Sequence, residues 1–282
     1  MKGFINLLKP EGMSSAYAVT AVKKKFNLPC GHMGTLDPMA SGVLPVGISK
    51  TSRLFNYLLD KKKTYEAEFT FGYSTDTLDS TGKTEATTSY IPTKEEIERA
   101  LLNFIGEIEQ LPPKYSAKCV DGKRGYELAR KGIDFNLQKK KVTVSDFILT
   151  GQTGENSFTF KINCKGGTYI RSLARDLAEA VGSLAVMSKL KRTASGIFNL
   201  ENGVSVEEFK NSDNPKQYLI APDLAVDFEK VILPNEKAQR ILNGLFDKYD
   251  LNDGVYRVYN EQDFWGIGSV KEGILKIDAY VR

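Results

Sequence analysis

Residues 64–71, TYEAEFTF, alternate strictly: Tyr65, Ala67, Phe69 and Phe71 share one face, and Glu66, Glu68 and Thr70 the other. A period of two predicts a strand with one buried face and one in water. FTFKINC (158–164) repeats the pattern. Elsewhere the period becomes helical. Ser14-Ser15 followed by Ala16, Val19, Val22 and Phe26 predicts a short capped helix. Thr93 with Glu96 forms a capping box ahead of Ile97, Leu101, Phe104 and Ile105. After the Gly166-Gly167 break, Ile170, Leu173, Ala174, Leu177 and Val181 mark a helix that stops at Gly182. Strands and helices mix without a regular βαβ rhythm, which makes the fold class α+β.

The texture changes after Pro222. A short helix is expected from Asn235 to Phe246, followed by the strands GVYRVYN, FWGIGSV and ILKIDAYV. A domain boundary is placed near residues 225–235, giving a body of 1–228 and a tail of 229–282. At 282 residues and 41% hydrophobic, the chain can bury a core without disulfide help. Its three cysteines are odd in number and lack a CxxC pair. A disulfide framework or zinc site is therefore not expected, and a reducing cytoplasm is. The only histidine is His32. It would have to serve any serine hydrolase triad, and a multi-histidine metal centre is ruled out. The start, MKGFINLLKPEGMSS, reaches Pro10, Glu11 and Gly12 too early for a secretory segment. No stretch approaches the roughly eighteen apolar residues of a membrane helix. A soluble, cytoplasmic protein is expected.

Net charge is +4, weak evidence for nucleic acid by itself. Its distribution says more. Residues 114–141 hold nine basic side chains against three acids, whereas residues 236–282 hold seven against eight. The positive field belongs to a basic insertion at about 110–145. A solvated charged loop would show the same composition.

The densest run of special residues is GHMGTLDPMASGVLPVG, from Gly31 to Gly47. Pro38 biases Asp37 toward extended geometry, and the glycines permit tight turns, so one carboxylate can be held at a fixed angle. An Asp that only caps a turn is the alternative. A phosphate cradle fits poorly, because GxxxxGK[ST] and GxGxxG spacings are absent. Arg171 falls in the first turn of a helix, where a cation opposes the dipole unless an anion is near. Tyr65 puts a hydroxyl on an apolar strand face, so it needs a buried partner or a pocket.

Together these residues sit in blocks that resemble the TruB-type tRNA pseudouridine synthases. The blocks are LLKPEGMSS (7–15), GHMGTLDPMASGVLPVGISKTSRL (31–54), KTYEAEFTFGYSTDTLDSTG (63–82), QLPPKYSAKCVDGKRGYELARKG (110–132), GGTYIRSLARDLAEAVG (166–182) and LKRTASGIFNL (190–200). They run in order along nearly the whole chain. Met33 stands where the family often has Thr or Ala. The resemblance implies a catalytic domain with a mixed, largely antiparallel sheet and flanking helices. It also implies a small C-terminal β-barrel similar to the RNA-binding PUA domain.

The implied activity is cofactor-free isomerisation of uridine 55, in the tRNA T loop, to pseudouridine, with no metal and no obligatory protein partner. By resemblance Asp37 is the nucleophile, Arg171 its partner, and Tyr65 a packing residue and proton acceptor. Whether the Asp attacks C1′, attacks the uracil ring or first helps remove a sugar proton stays open. Arg171 is expected to keep Asp37 ionised against burial. Tyr169 would stack on the flipped base, Leu190 would close the pocket, and His32 would replace the extruded base. Lys63, Lys114, Lys118 and Arg124 complete the expected tRNA-binding set, the basic segment clamping the T-stem backbone. The loop TDTLDSTG (75–82) lacks EF-hand registration and is expected near the pocket. A tRNA-remodelling protein and a guide-RNA-dependent synthase are the competing readings. A monomer is expected, and the stand-alone enzyme is favoured because the chain is too short for the extensions of the guide-dependent relatives.

Overall fold

The computed structural model describes residues 1–59, 61–116, 119–120, 123–125, 128, 131–133, 135–243 and 248–281. Eleven strands of the described residues form one sheet around the alternating strand Lys63–Phe71. From edge to edge its main path runs Val204–Ser205, Gly3–Lys9, Ser41–Ile48, Ala185–Ser195, Lys63–Phe71, Ser157–Cys164, Lys140–Gln152 and Gly106–Gln110. Neighbours are antiparallel except where Val204–Ser205 meets Gly3–Lys9 and where Ser41–Ile48 meets Ala185–Ser195. The sheet is thus mixed and largely antiparallel.

Period-two patterning sets the faces. Tyr65, Ala67, Phe69 and Phe71 join one apolar cluster with Ile5, Leu7, Leu44 and Val46. The helices Ser15–Phe26, Lys94–Leu101 and Ile170–Ala180 bury Val22, Ile97 and Leu173 in the same cluster. Ser14 caps the first helix by accepting from the Tyr17 amide, and both halves of the Thr93–Glu96 capping box are present. Glu68, expected in water, is buried, because Thr153, Ser188 and Lys189 all donate to its carboxylate.

The long strand Lys140–Gln152 has no clean alternation in sequence. Register shifts between Val144 and Asp146 and between Leu149 and Gly151 interrupt its pairing with Ser157–Cys164. Each shift resets which side chains face inward, which hides the strand from a periodicity argument.

The tail corrects one expectation. Its four strands order as Glu229–Leu233, Gly254–Asn260, Asp263–Lys271 and Ile274–Tyr280. They make an open sheet, with no closure into a barrel among the described residues. Closing a barrel requires the two edge strands to pair, and here Glu229–Leu233 and Ile274–Tyr280 do not pair with each other. The helix covers Asn235–Leu242, and residues 244–246 of the expected span lie outside the described residues. Tail and body share an apolar cluster in which Phe4, Leu54 and Phe198 join Tyr259, Phe264 and Ala279. Among the described residues no helix is long and apolar enough to cross a membrane.

Candidate active site

Asp37 sits on the turn between the strands Cys30–His32 and Ser41–Ile48. The N-terminal segment pins that turn from both sides. The Ser15 hydroxyl donates to the Leu36 carbonyl and accepts from the Leu36 amide, both at 2.8 Å. The Gly12 amide donates to the Pro38 carbonyl at 2.8 Å, and the Asp37 carbonyl accepts from the Ala40 amide at 3.0 Å. Lys9, 1% exposed, donates to the carbonyls of Pro10, Met13 and Pro38 at 2.8, 2.6 and 3.2 Å. Burial pushes its ammonium down to about 8, against the pull of Asp37 and Glu11.

Arg171 comes to Asp37 from the second position of the helix Ile170–Ala180. Its Nε lies 3.0 Å from Asp37 Oδ2, and its Nη2 donates to Oδ1 at 3.3 Å. Two further donations go to the Thr77 and Tyr115 carbonyls at 2.8 and 2.9 Å. Asp79 Oδ2 adds a second carboxylate at 3.6 Å. Two acids thus offset a cation at the positive end of a helix. Asp79 is itself fixed, its Oδ1 accepting from the hydroxyls of Thr77 and Thr81 at 2.7 and 2.6 Å. The loop 75–82 is therefore part of the wall behind Asp37.

Opposing influences act on the Asp37 carboxylate. Burial is the largest influence and raises its pKa above the usual carboxylate range; Arg171 opposes this and Asp79 reinforces it. The arginine moderates the effect of burial without cancelling it.

Asp37, Arg171, Tyr65, Tyr169, Leu190 and Lys63 all line one cavity of about 430 Å³, a size suited to a small organic group. Tyr65 is 7% exposed, and burial pushes its phenol up while the positive charge of Arg192 draws it down. Tyr169 directly precedes the helix, its backbone held both ways by the Gln110 side chain at 2.8 and 3.1 Å. His32 ends the strand Cys30–His32 opposite Val46 and does not line the cavity. Lys114 is exposed and lines a neighbouring cavity of about 550 Å³ with Tyr115 and Arg175. Lys118 lies outside the described residues, as does the side chain of Arg124, whose backbone is in the strand Lys123–Arg124.

Residues 22–170 match the family model of the TruB pseudouridylate synthase N-terminal domain, and residues 171–239 that of the tRNA pseudouridylate synthase B C-terminal domain. The chain belongs to the TruB family. A relative called tRNA pseudouridine synthase B, from Alkaliphilus oremlandii, is 38% identical over 282 residues, covering 96% of this chain and 94% of that protein. One of the same name from Clostridium kluyveri is 39% identical, covering 96% of each chain. Among solved structures, a Cbf5-Nop10-Gar1 complex contains a chain with a TM-score of 0.74 at 24% identity, covering 99% of this chain and 85% of that one. That likeness concerns the fold.

In this TruB-family chain, sequence reasoning passed over four residues that build the site. Asp79 and Lys9 lie inside the quoted blocks, but nothing local marks them as partners of Arg171 and the Asp37 turn. Gln110 is a lone amide at a strand end. Arg192 faces Tyr65 in the pairing of Ala185–Ser195 with Lys63–Phe71, so the signal that finds it is register.

Proposed function

We propose that this protein isomerises uridine 55 of the tRNA T loop to pseudouridine, with Asp37 as nucleophile. The observation that carries this reading is a carboxylate held by a buried arginine at the mouth of a cavity walled by two tyrosines. The TruB family and the names of its relatives support the reaction class. Isomerisation conserves every atom: the N1–C1′ bond breaks, the uracil turns, C5 bonds to C1′, and the proton leaving C5 is balanced by one gained at N1. Such chemistry needs an ionised carboxylate within reach of the nucleotide, a place for the detached base, and a wall that keeps it there.

Tyr169 supplies a stacking face, worth about 1–3 kcal/mol per base, against the few kcal/mol that flipping a nucleotide costs. Leu190 closes the apolar side, and Tyr65 packs against the ring and handles its proton. Lys63 meets the nucleotide backbone at the cavity wall. His32, outside the cavity, fills the gap left by the extruded base. Lys114, Lys118 and Arg124 meet tRNA phosphates. Residues 1–228 act as the catalytic domain and 229–282 as a PUA-like RNA-binding unit. The protein works as a cytoplasmic monomer without guide RNA or cofactor.

The test mixes purified protein with an unmodified tRNA transcript in EDTA, with no other protein or RNA, and maps pseudouridine by carbodiimide labelling. Conversion at the T-loop uridine alone is the expected result. Tight binding without conversion would transfer the protein to the tRNA-remodelling class.

A further inference from the structure

Arg192 is 1% exposed, and among the described residues no carboxylate lies within ion-pair distance of it. A buried cation is normally neutralised, because an unpaired one is costly to remove from water. Its other buried counterpart in the cavity, Arg171, has two carboxylates. Arg192 has neutral partners instead. Its Nε donates to the Val43 carbonyl at 2.8 Å and its Nη2 to the Gly34 carbonyl at 3.0 Å, and it stands opposite Tyr65 in the pairing of the two strands.

These contacts join three elements. Val43 belongs to the strand Ser41–Ile48, Gly34 to the turn three residues ahead of Asp37, and Tyr65 to the central strand. The two strands pack closely at this position: Gly42 has φ +100° where it passes the Arg192 backbone, and a Cβ there would overlap the Arg192 carbonyl oxygen. Arg192 also lines the cavity itself. Around Tyr65 the other charged or titratable groups are Cys164 on the strand Ser157–Cys164 and Asp37 on the turn. Lys63 lies near Gly34. A fixed positive charge therefore lines the cavity, with no carboxylate of the described residues at ion-pair distance from it.

We propose that Arg192 is a positioning residue for the isomerisation: it locks Tyr65 to the Gly34–Asp37 turn and supplies the positive potential that negative charge on a detached pyrimidine meets. This rests on reading the cavity as a uridine pocket. A preorganised donor in a dry site acts most strongly where charge develops, so its effect falls on the chemical step and not on tRNA affinity. A hydrophobic residue of similar length would satisfy a purely structural demand for volume.

The experiment compares Arg192→Met and Arg192→Lys with the parent in single-turnover conversion of a tRNA transcript, tRNA affinity and thermal midpoint. Arg192→Met is expected to slow conversion by roughly 100-fold, the scale of losing one preorganised donor, while tRNA affinity stays within about threefold. Arg192→Lys, which retains a cation without the planar fork, is expected to recover roughly tenfold of that loss. A parental rate in Arg192→Met overturns the proposal. So does an equal loss in both variants, or a loss confined to affinity or folding. If Arg192→Met does not fold, Arg192→Lys decides: slowed conversion at parental affinity supports the proposal, while a parental rate or an unfolded chain overturns it. Failure of the parent to convert any uridine would strike the uridine-pocket reading itself and is read before either variant.

Discussion

Arg171 Nε and Asp37 Oδ2 lie 3.0 Å apart, although the two residues are separated by 134 positions in the chain. The arginine is 6% exposed and the carboxylate 34%. One partner is thus dry and rigid, while the other keeps an open side toward the cavity. That asymmetry suits a carboxylate meant to react, since its orientation is set from behind.

Removing the arginine tests this directly. Breaking a buried pair by deleting one member costs about 3–5 kcal/mol, and here it also exposes Asp79 to an unpaired burial. Arg171→Met should lower the thermal midpoint and reduce single-turnover conversion by roughly 100-fold or more. Arg171→Lys should recover little, because three ammonium protons on a compact head cannot replace the planar fork's contacts to both Asp37 oxygens and to the Thr77 and Tyr115 carbonyls. Conversion rates and melting curves of the two variants check this.

The pH dependence has a defined sign. Burial raises the pKa of Asp37, so the reactive ion is lost as pH falls through a value above the usual carboxylate range. The acid limb of the rate should lie there. In Arg171→Met it should move to higher pH, since the group opposing the upward shift has gone. For stability the same raised pKa works the other way: the folded chain holds this proton more tightly, so Asp37 favours folding as pH drops through its folded value and opposes it above. A pH–rate profile of conversion reads the first effect.

Lys9 gives an alkaline counterpart. With its folded pKa near 8 against 10.5, it loses a proton in the folded state first, and its contribution to stability rises between those values. Its three carbonyl contacts use all three ammonium protons. Deprotonation removes one of them and loosens the Pro38 side of the Asp37 turn. An alkaline limb near pH 8 is expected in the rate, with tRNA affinity unchanged when both are measured across pH 7 to 9.

Gly42→Ala should be among the most damaging small substitutions. The position has φ +100°, and the added methyl would collide with the Arg192 backbone, so strain and steric overlap act together. A loss of several kcal/mol, of the order reserved for special backbone sites, is expected from denaturant melts.

The basic segment should not act uniformly. Lys141 is paired with Glu107 at 2.8 Å, whereas Lys140 lines the same cavity as Asp37. Lys140→Ala should therefore weaken tRNA binding and flatten its salt dependence by roughly one unit of slope. Lys141→Ala should change both less. Binding isotherms at several salt concentrations distinguish them.

How much of this was legible in the sequence follows from the range of each interaction. TYEAEFTF announced the central strand because its faces differ at every step, and the capping residues Ser14 and Thr93 announced helix starts because capping is local. Asp37, Tyr65, Tyr169, Arg171 and Leu190 converge on one cavity, and those were readable from the blocks that contain them. Asp79 and Arg192 were not. The first acts through an arginine on a distant helix. The second acts through a register that aligns it with Tyr65, and register is a property of the paired strands. The tail misled differently: short alternating strands describe an open sheet as well as a closed barrel, and only the pairing of edges separates the two. The net effect of burial at Asp37 also depends on packing that no local pattern encodes.

The most direct test of the central claim is a single-turnover comparison of Asp37→Asn with the parent on an unmodified tRNA transcript, alongside tRNA affinity. The substitution keeps the shape of the side chain and removes its charge. The account predicts that conversion of the T-loop uridine disappears while affinity remains within about threefold, as expected when a group acts in the chemical step alone. Parental conversion by Asp37→Asn would contradict it.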